Sequence, residues 1–165
     1  TYKAATVLWS LCRRMDQIYS EIRSKGCKNI DEYNSKCKIK LQRMVVVIDE
    51  LADLMIKHKK EVEPSIIRLA QMGRACGIHL ILSTQRPSRE VVTGLLKVNI
   101  PAKICFKVPS AVNSRVVLET AGAEKLLGNG DALFLDGKSN EPVHFQGSMI
   151  TTEEINKVVE AVKEL

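Results

Sequence analysis

Hydrophobic residues recur at every third or fourth position over residues 3–24, and this spacing predicts an amphipathic helix. Gly26 follows it as a helix stop signal. The pattern then changes to a continuous apolar run at 44–48, which is typical of a strand covered on both faces, and residues 78–83 predict a second buried strand. The apolar positions of the first helix are Ala4, Val7, Leu8, Leu11, Met15, Ile18, Tyr19 and Ile22.

Helical and extended patterns alternate along the rest of the chain. Pro64, at a first-turn position, predicts a helix that runs to residue 75 and is closed by Gly77. Thr151 and Glu154 have the spacing of a capping box at the start of a final amphipathic helix. The pattern also predicts helices at 89–96 and 111–119 and strands at 102–107, 131–135 and 143–146. Strands that alternate with helices predict an α/β fold with a mainly parallel sheet.

The composition limits the class of protein but does not indicate a function. A chain of 165 residues, 45% of them hydrophobic, can bury the core of one domain. No apolar run approaches the roughly 18–20 residues that a membrane-spanning helix requires. Five cysteines are widely spaced without a CxxC pair, so we expect reduced thiols and no zinc site. The helical pattern begins at once and without an initiator Met, so we expect a piece of a longer protein.

The net charge of +6 lies in the first quarter of the chain. Residues 1–43 carry ten Lys/Arg against four Asp/Glu, whereas the remaining residues carry fifteen of each. A second, local excess lies between residues 86 and 115, with six basic side chains and one acidic side chain, Glu90. Basic residues near loops can contact phosphates in a salt-sensitive way, and the alternative is a solvated face. The six are Arg86, Arg89, Lys97, Lys103, Lys107 and Arg115.

The most informative segment is the apolar run at 44–48 together with the two acids that follow it, Asp49 and Glu50. This is the Walker B pattern of P-loop ATPases. Ligands bind beyond the carboxyl ends of parallel strands, so Asp49 is a candidate ligand of Mg²⁺ and Glu50 a candidate base for the attacking water. The alternative is that both acids cap a helix starting at Leu51, whose dipole favours negative charge. Asp53, in the first turn of that helix, fits a structural role better.

The second strand leads into Ser83, Thr84 and Gln85. Thr84 and Gln85 are candidates to sense the γ-phosphate or to polarise the water. Turn formation before Pro87 explains them nearly as well.

The partner motif GxxxxGK[ST], whose glycine-rich loop cradles phosphates, does not occur in the sequence. Gly137-Lys138-Ser139 is a partial match, but Ala132 takes the place of the first glycine and the triplet lies in a predicted turn. Either the ATPase is degenerate or the phosphate-binding loop lies upstream, and the abrupt start of the helical pattern favours the second. In both cases we expect the chain by itself to hydrolyse ATP poorly.

Four stretches resemble the motor domain of the FtsK/SpoIIIE family of DNA translocases. They are RLAQMGRACGIHL at 68–80, TQRPS at 84–88, TGLLKVNIP at 93–101 and AGAEKLLGNGD at 121–131. The first helix and residues 29–34 are similar to the segment between the family's Walker A and Walker B motifs. The resemblance implies three parts of one RecA-like motor domain: a basic helical segment at 1–43, the core at 44–150 and a terminal helix at 151–165.

The resemblance also implies residue roles. Asp49 and Glu50 match the Walker B acids, and Arg74 matches the position of an arginine finger that completes a neighbouring subunit's site. The alternative for Arg74 is a helix-end cation that balances the dipole beside Gly77. The implied DNA-facing residues are Arg86, Lys97 and Arg115. The sequence departs from the family at Ala111, where Lys is frequent, and at Gly73, where Ala is usual.

The implied protein is a homo-hexameric ring that moves double-stranded DNA with ATP and Mg²⁺ during chromosome partitioning in division or sporulation. The resemblance places this chain in the cytoplasmic motor domain of a bacterial protein anchored in the inner membrane, without membrane contact of its own. Two alternatives stay open. One is a type VII-like protein-secretion ATPase with the same core, and the other is a DNA-binding or ring-assembly module without its own activity.

Overall fold

A computed structural model describes residues 2–163 of the chain. These residues form two compact units, the first ending at Ile100 and the second beginning at Pro101. Each unit has its own buried apolar cluster.

The first unit is built on two long helices and two parallel strands. Its elements are α1 (Tyr2–Ser24), α2 (Ile30–Lys36), β1 (Met44–Ile48), α3 (Leu51–Met72), a 3₁₀ turn (Gly73–Cys76), β2 (Ile78–Leu82) and α4 (Gly94–Asn99). Strand β1 pairs with β2 in parallel, from Met44 opposite Ile78 to Ile48 opposite Leu82. Helix α3 packs on α1 and provides the crossover that a parallel pair requires. The predicted helix at 3–24 is thereby confirmed.

The two parallel strands are covered on one face, so the prediction that the run at 44–48 is a strand covered on both faces is wrong for the described residues. Met44, Val46 and Ile48 pack against the core of the first unit. Val45 and Val47 point the other way and are 59% and 63% exposed. A continuous apolar run does not distinguish one covered face from two, because successive strand residues alternate between faces.

Helix α3 begins earlier than the proline signal predicted. Pro64 lies inside the helix rather than at its first turn. Although proline has no amide hydrogen to donate to the carbonyl four residues back, Val62 and Ile66 bury fully against the core and hold the segment helical. The irregularity in α3 lies instead at His58, whose φ of −141° and ψ of 33° bend the helix.

The predicted stop at Gly77 is confirmed. Gly77 has a φ of 75°, in the left-handed region that glycine adopts most easily. A Cβ at this position would also lie 2.7 Å from Cδ1 of Ile30. Both observations explain why glycine ends the turn before β2.

The second unit contains a three-stranded antiparallel sheet. Its elements are β3 (Lys103–Phe106), α5 (Ala111–Leu118), a 3₁₀ turn (Ala123–Lys125), β4 (Asp131–Leu135), β5 (Val143–Gln146) and α6 (Thr152–Lys163). The strand order is β3-β4-β5. The α/β class is confirmed, but parallel pairing within the described residues is limited to β1 and β2. A short connection such as that between β4 and β5 permits only antiparallel pairing.

Two helix starts follow from caps. Thr93 caps α4 through a bond from the Leu96 amide to its hydroxyl (3.3 Å), so this helix begins later than the predicted 89–96. At α6 the predicted capping box is confirmed, since the Thr151 amide donates to Glu154 Oε2 (2.8 Å) and the Glu154 amide to Thr151 Oγ1 (3.3 Å). None of the helices in residues 2–163 combines the length and the apolar character of a membrane span.

Candidate functional site

The carboxyl ends of β1 and β2 are held side by side by backbone hydrogen bonds. The Ser83 amide donates to the Ile48 carbonyl (2.9 Å), and the Leu51 amide donates to the Ser83 carbonyl (2.8 Å). The Ser83 hydroxyl also donates to the backbone carbonyl of Asp49. This edge therefore brings the acid pair that follows β1 together with the polar residues that follow β2.

Glu50 is the most constrained side chain of this edge. Its carboxylate accepts hydrogen bonds from the Thr84 hydroxyl (2.5 Å), the backbone amide of Gln85 (2.9 Å) and the backbone amide of Ala52 (3.0 Å). The Thr84 bond first, then the Gln85 amide, lowers the pKa of Glu50 below its ordinary value. Glu50 is thus a carboxylate at neutral pH, and through the Ala52 amide it also caps α3.

Asp49 differs from its neighbour. It is exposed, and none of the residues in 2–163 donates a hydrogen bond to its side-chain carboxylate. Its oxygen lone pairs are therefore available to an external ligand at the end of β1. Mg²⁺ prefers one or two such carboxylates together with water and phosphate oxygens, so the residues present fit this ion.

Arg74 lies on the 3₁₀ turn between α3 and β2 and is exposed to solvent. Its carbonyl accepts a bond from the Gly77 amide (3.1 Å), which closes the turn. Gly73, directly before it, is buried, and a Cβ there would lie 3.0 Å from the Ile78 carbonyl oxygen. Glycine at position 73 therefore goes with a close approach of this turn to β2.

The three residues with an implied DNA role are on three different elements. Arg86 is exposed in the segment after β2, and its amide donates to the Thr84 hydroxyl (3.1 Å). Lys97 is half-buried on α4. Arg115 is exposed on α5 of the second unit.

One contact between α3 and α4 was not predicted from the sequence. The Thr93 hydroxyl donates to Glu63 Oε1 (2.6 Å), which ties the start of α4 to the middle of α3. Thr93 followed by an apolar turn is a recognisable cap signal. Nothing in the pattern indicated Glu63 as its partner.

The fold and this strand edge define part of the α/β core of a P-loop ATPase motor. The pCW3 conjugation coupling protein TcpA, solved in its monomer form with ATPγS, superposes with a TM-score of 0.85. It shares 32% identity and matches 97% of this chain and 49% of its own. The type VII secretion ATPase EccC of Thermomonospora curvata superposes with a TM-score of 0.76 at 21% identity, over 89% of this chain and 18% of its own, which shows the shared fold alone.

Sequence relatives give the family. The FtsK/SpoIIIE family model matches residues 1–89, and the chain belongs to this family. It is 48% identical to the DNA translocase SftA of Bacillus subtilis (strain 168) over 98% of the chain and 18% of that protein. It is 44% identical to the DNA translocase FtsK of Tropheryma whipplei (strain TW08/27) over 98% of the chain and 23% of that protein. The chain thus spans about a fifth of the length of these relatives.

Proposed function

We propose that the chain is part of the motor of an ATP-driven translocase that moves double-stranded DNA during bacterial chromosome partitioning. The observation that carries the proposal is the pair of hydrogen bonds that Thr84 and the Gln85 backbone amide, after β2, donate to the Glu50 carboxylate, after β1. The names of the relatives support DNA as the substrate.

Asp49 and Glu50 have different roles in this proposal. Asp49 would hold Mg²⁺, which when bound neutralises charge on the nucleotide phosphates. The Glu50 carboxylate accepts a proton from the attacking water, and its hydrogen bonds keep it ionised for that step. Thr84 and Gln85 fix the direction in which its oxygens point.

Arg74 acts in trans in this proposal. Its exposed place on the turn before β2 suits a guanidinium that reaches the site of a neighbouring subunit in a hexameric ring and neutralises transition-state charge. The motor lies on the cytoplasmic side of a bacterial inner-membrane-anchored protein.

Arg86, Lys97 and Arg115 would contact DNA phosphates. Such contacts position a duplex without reading its sequence, and they weaken as salt rises because counterions released into a more concentrated salt solution gain less entropy. A translocase that must move along any sequence requires this kind of contact.

The test is the ATPase rate of the full-length protein with and without duplex DNA, over a salt titration, for the wild type, Asp49→Ala and Arg74→Ala. We expect strong stimulation that fades with salt and is lost in both variants. Asp53→Asn, in the first turn of α3, is the matched control and should behave like the wild type. A rate indifferent to DNA would refute the proposal and favour a protein-secretion ATPase. DNA binding without any effect of Asp49→Ala on turnover would favour an inactive assembly module.

A further inference from the structure

The segment at 83–93, here called the basic loop, joins β2 to α4 and carries Arg86 and Arg89, both exposed. Its beginning is fastened to the start of α3, because Thr84 and Gln85 donate to the Glu50 carboxylate. The first residues of the basic loop are thus attached to the carboxylate that caps α3.

The other end of the basic loop is fastened to the same helix. The Thr93 hydroxyl donates to Glu63 Oε1 at 2.6 Å and accepts from the Leu96 amide at 3.3 Å. One hydroxyl therefore caps α4 with its lone pair and ties that helix to α3 with its hydrogen. Both Thr93 and Glu63 are half-buried, which strengthens a hydrogen bond to a charged acceptor.

The stretch between the two ends is held in part. Val91 is 1% exposed and belongs to the core of the first unit, and the Lys59 ammonium donates to the Glu90 carbonyl at 3.4 Å. The two guanidinium groups, by contrast, are left in solvent. Both ends of the basic loop are therefore held by hydrogen bonds, while the side chains of Arg86 and Arg89 remain accessible to solvent.

We propose that Glu63 is a positioning residue for DNA binding. Through Thr93 it fixes the end of the basic loop and the first turn of α4, which carries Lys97. Holding these side chains in place before DNA arrives reduces the conformational entropy lost on binding. This inference rests on the proposed function, since it assigns Glu63 a part in the contact with DNA.

The test uses the full-length protein and measures ATPase rate against duplex concentration for Glu63→Ala, Glu63→Gln and Glu61→Ala. Glu63→Ala should raise the half-stimulating duplex concentration roughly three- to tenfold, with the maximal rate within about twofold of the wild type. Glu63→Gln keeps an oxygen that accepts the Thr93 hydrogen and should restore the wild-type concentration. Glu61→Ala removes the same charge from an exposed position on the same helix and is the matched control.

Hydrogen–deuterium exchange without DNA separates the inference from the function. We expect faster exchange at residues 84–99 in Glu63→Ala and near-wild-type exchange in Glu63→Gln. An unchanged half-stimulating concentration in folded Glu63→Ala, or an equal shift in Glu61→Ala, would overturn the positioning role. A wild type that DNA does not stimulate would refute the proposed function. Faster exchange in that case would reduce Glu63 to a purely structural anchor.

Discussion

Glu50 in the first unit and Asp131 in the second are carboxylates with similar electrostatics and different surroundings. Hydrogen bonds lower the pKa of both: the Thr84 hydroxyl is the main cause at Glu50, and the Leu127 amide is the main cause at Asp131. Asp131 is 5% exposed. Glu50 lies at an open strand edge beside Asp49, whose carboxylate is available to an external ligand.

The difference shows that a depressed pKa does not by itself mark a catalytic group. Asp131 accepts the Leu127 amide at 2.7 Å and also contacts His144 Nε2, so its partners close a glycine-rich turn and join β4 to β5. Two of the three partners of Glu50, Thr84 and Gln85, belong instead to the segment after β2 that carries the exposed side chains of Arg86 and Arg89. Solvent access to the carboxylate and the identity of its hydrogen-bond partners distinguish a candidate catalytic group such as Glu50 from a structural one such as Asp131.

The largest effect should come from Glu50→Gln. The amide keeps one oxygen, which can accept from the Thr84 hydroxyl and the Ala52 amide, but its NH2 group cannot accept from the Gln85 backbone amide and the side chain cannot take a proton from water. DNA-stimulated ATPase of the full-length protein should fall by about 10²–10⁴-fold, with only a small fall in Tm from the lost Gln85 bond. Steady-state kinetics and a thermal scan measure both. A variant that keeps more than a tenth of the wild-type rate would show that Glu50 is a cap only.

Asp131→Ala should show the opposite profile. It leaves the Leu127 amide without its acceptor, so we expect Tm to fall by about 5 °C while activity per folded molecule is retained. Asp131→Asn retains an acceptor and should lose less.

The pH dependence of this difference has a definite sign. Because folding lowers the pKa of Asp131, its stabilisation is complete above the unfolded value of about 3.9 and is lost as the pH falls through the folded value. The Tm gap between the wild type and Asp131→Ala should therefore be full at neutral pH and shrink below about pH 4. A gap that stays constant into acid would contradict the assigned cause.

The smallest effect is expected from Thr84→Val, which removes the main cause of the lowered Glu50 pKa. The pKa of Glu50 should rise toward its ordinary value, so the acid limb of the ATPase profile should move to higher pH. Thr84→Ser keeps the hydroxyl and should leave the limb in place. Equal acid limbs in Thr84→Val and the wild type would mean that another group controls the profile.

The fold was predictable where one signal dominated. Strand β1 and strand β4 have the predicted bounds because their apolar runs are continuous and end at polar or charged residues. Pro64 misled because burial of Val62 and Ile66 outweighs the hydrogen bond that proline cannot make. The antiparallel pairing of β3 with β4 was not predictable, since the residue pattern of a strand does not indicate in which direction its neighbour runs.

The site was predictable to the extent that it is local in sequence. Asp49 and Glu50 are adjacent, and Thr84 and Gln85 follow the next strand, so sheet geometry alone places them together. The bond between Thr93 and Glu63 joins residues 30 positions apart in irregular and helical segments. This bond depends on the path of the basic loop beside α3, and the hydrophobic periodicity of the sequence gives no information on the path of a loop.

The bend at His58 gives α3 two arms. Glu50 lies before the bend and Glu63 after it, and both carboxylates accept hydrogen bonds from the basic loop. The loop is therefore attached on both sides of the bend. A change in the bend angle would change the distance between the attachments at Glu50 and Glu63. The bend at His58 therefore helps to set the distance between the two attachments of the basic loop, the segment on which Arg86 and Arg89 lie.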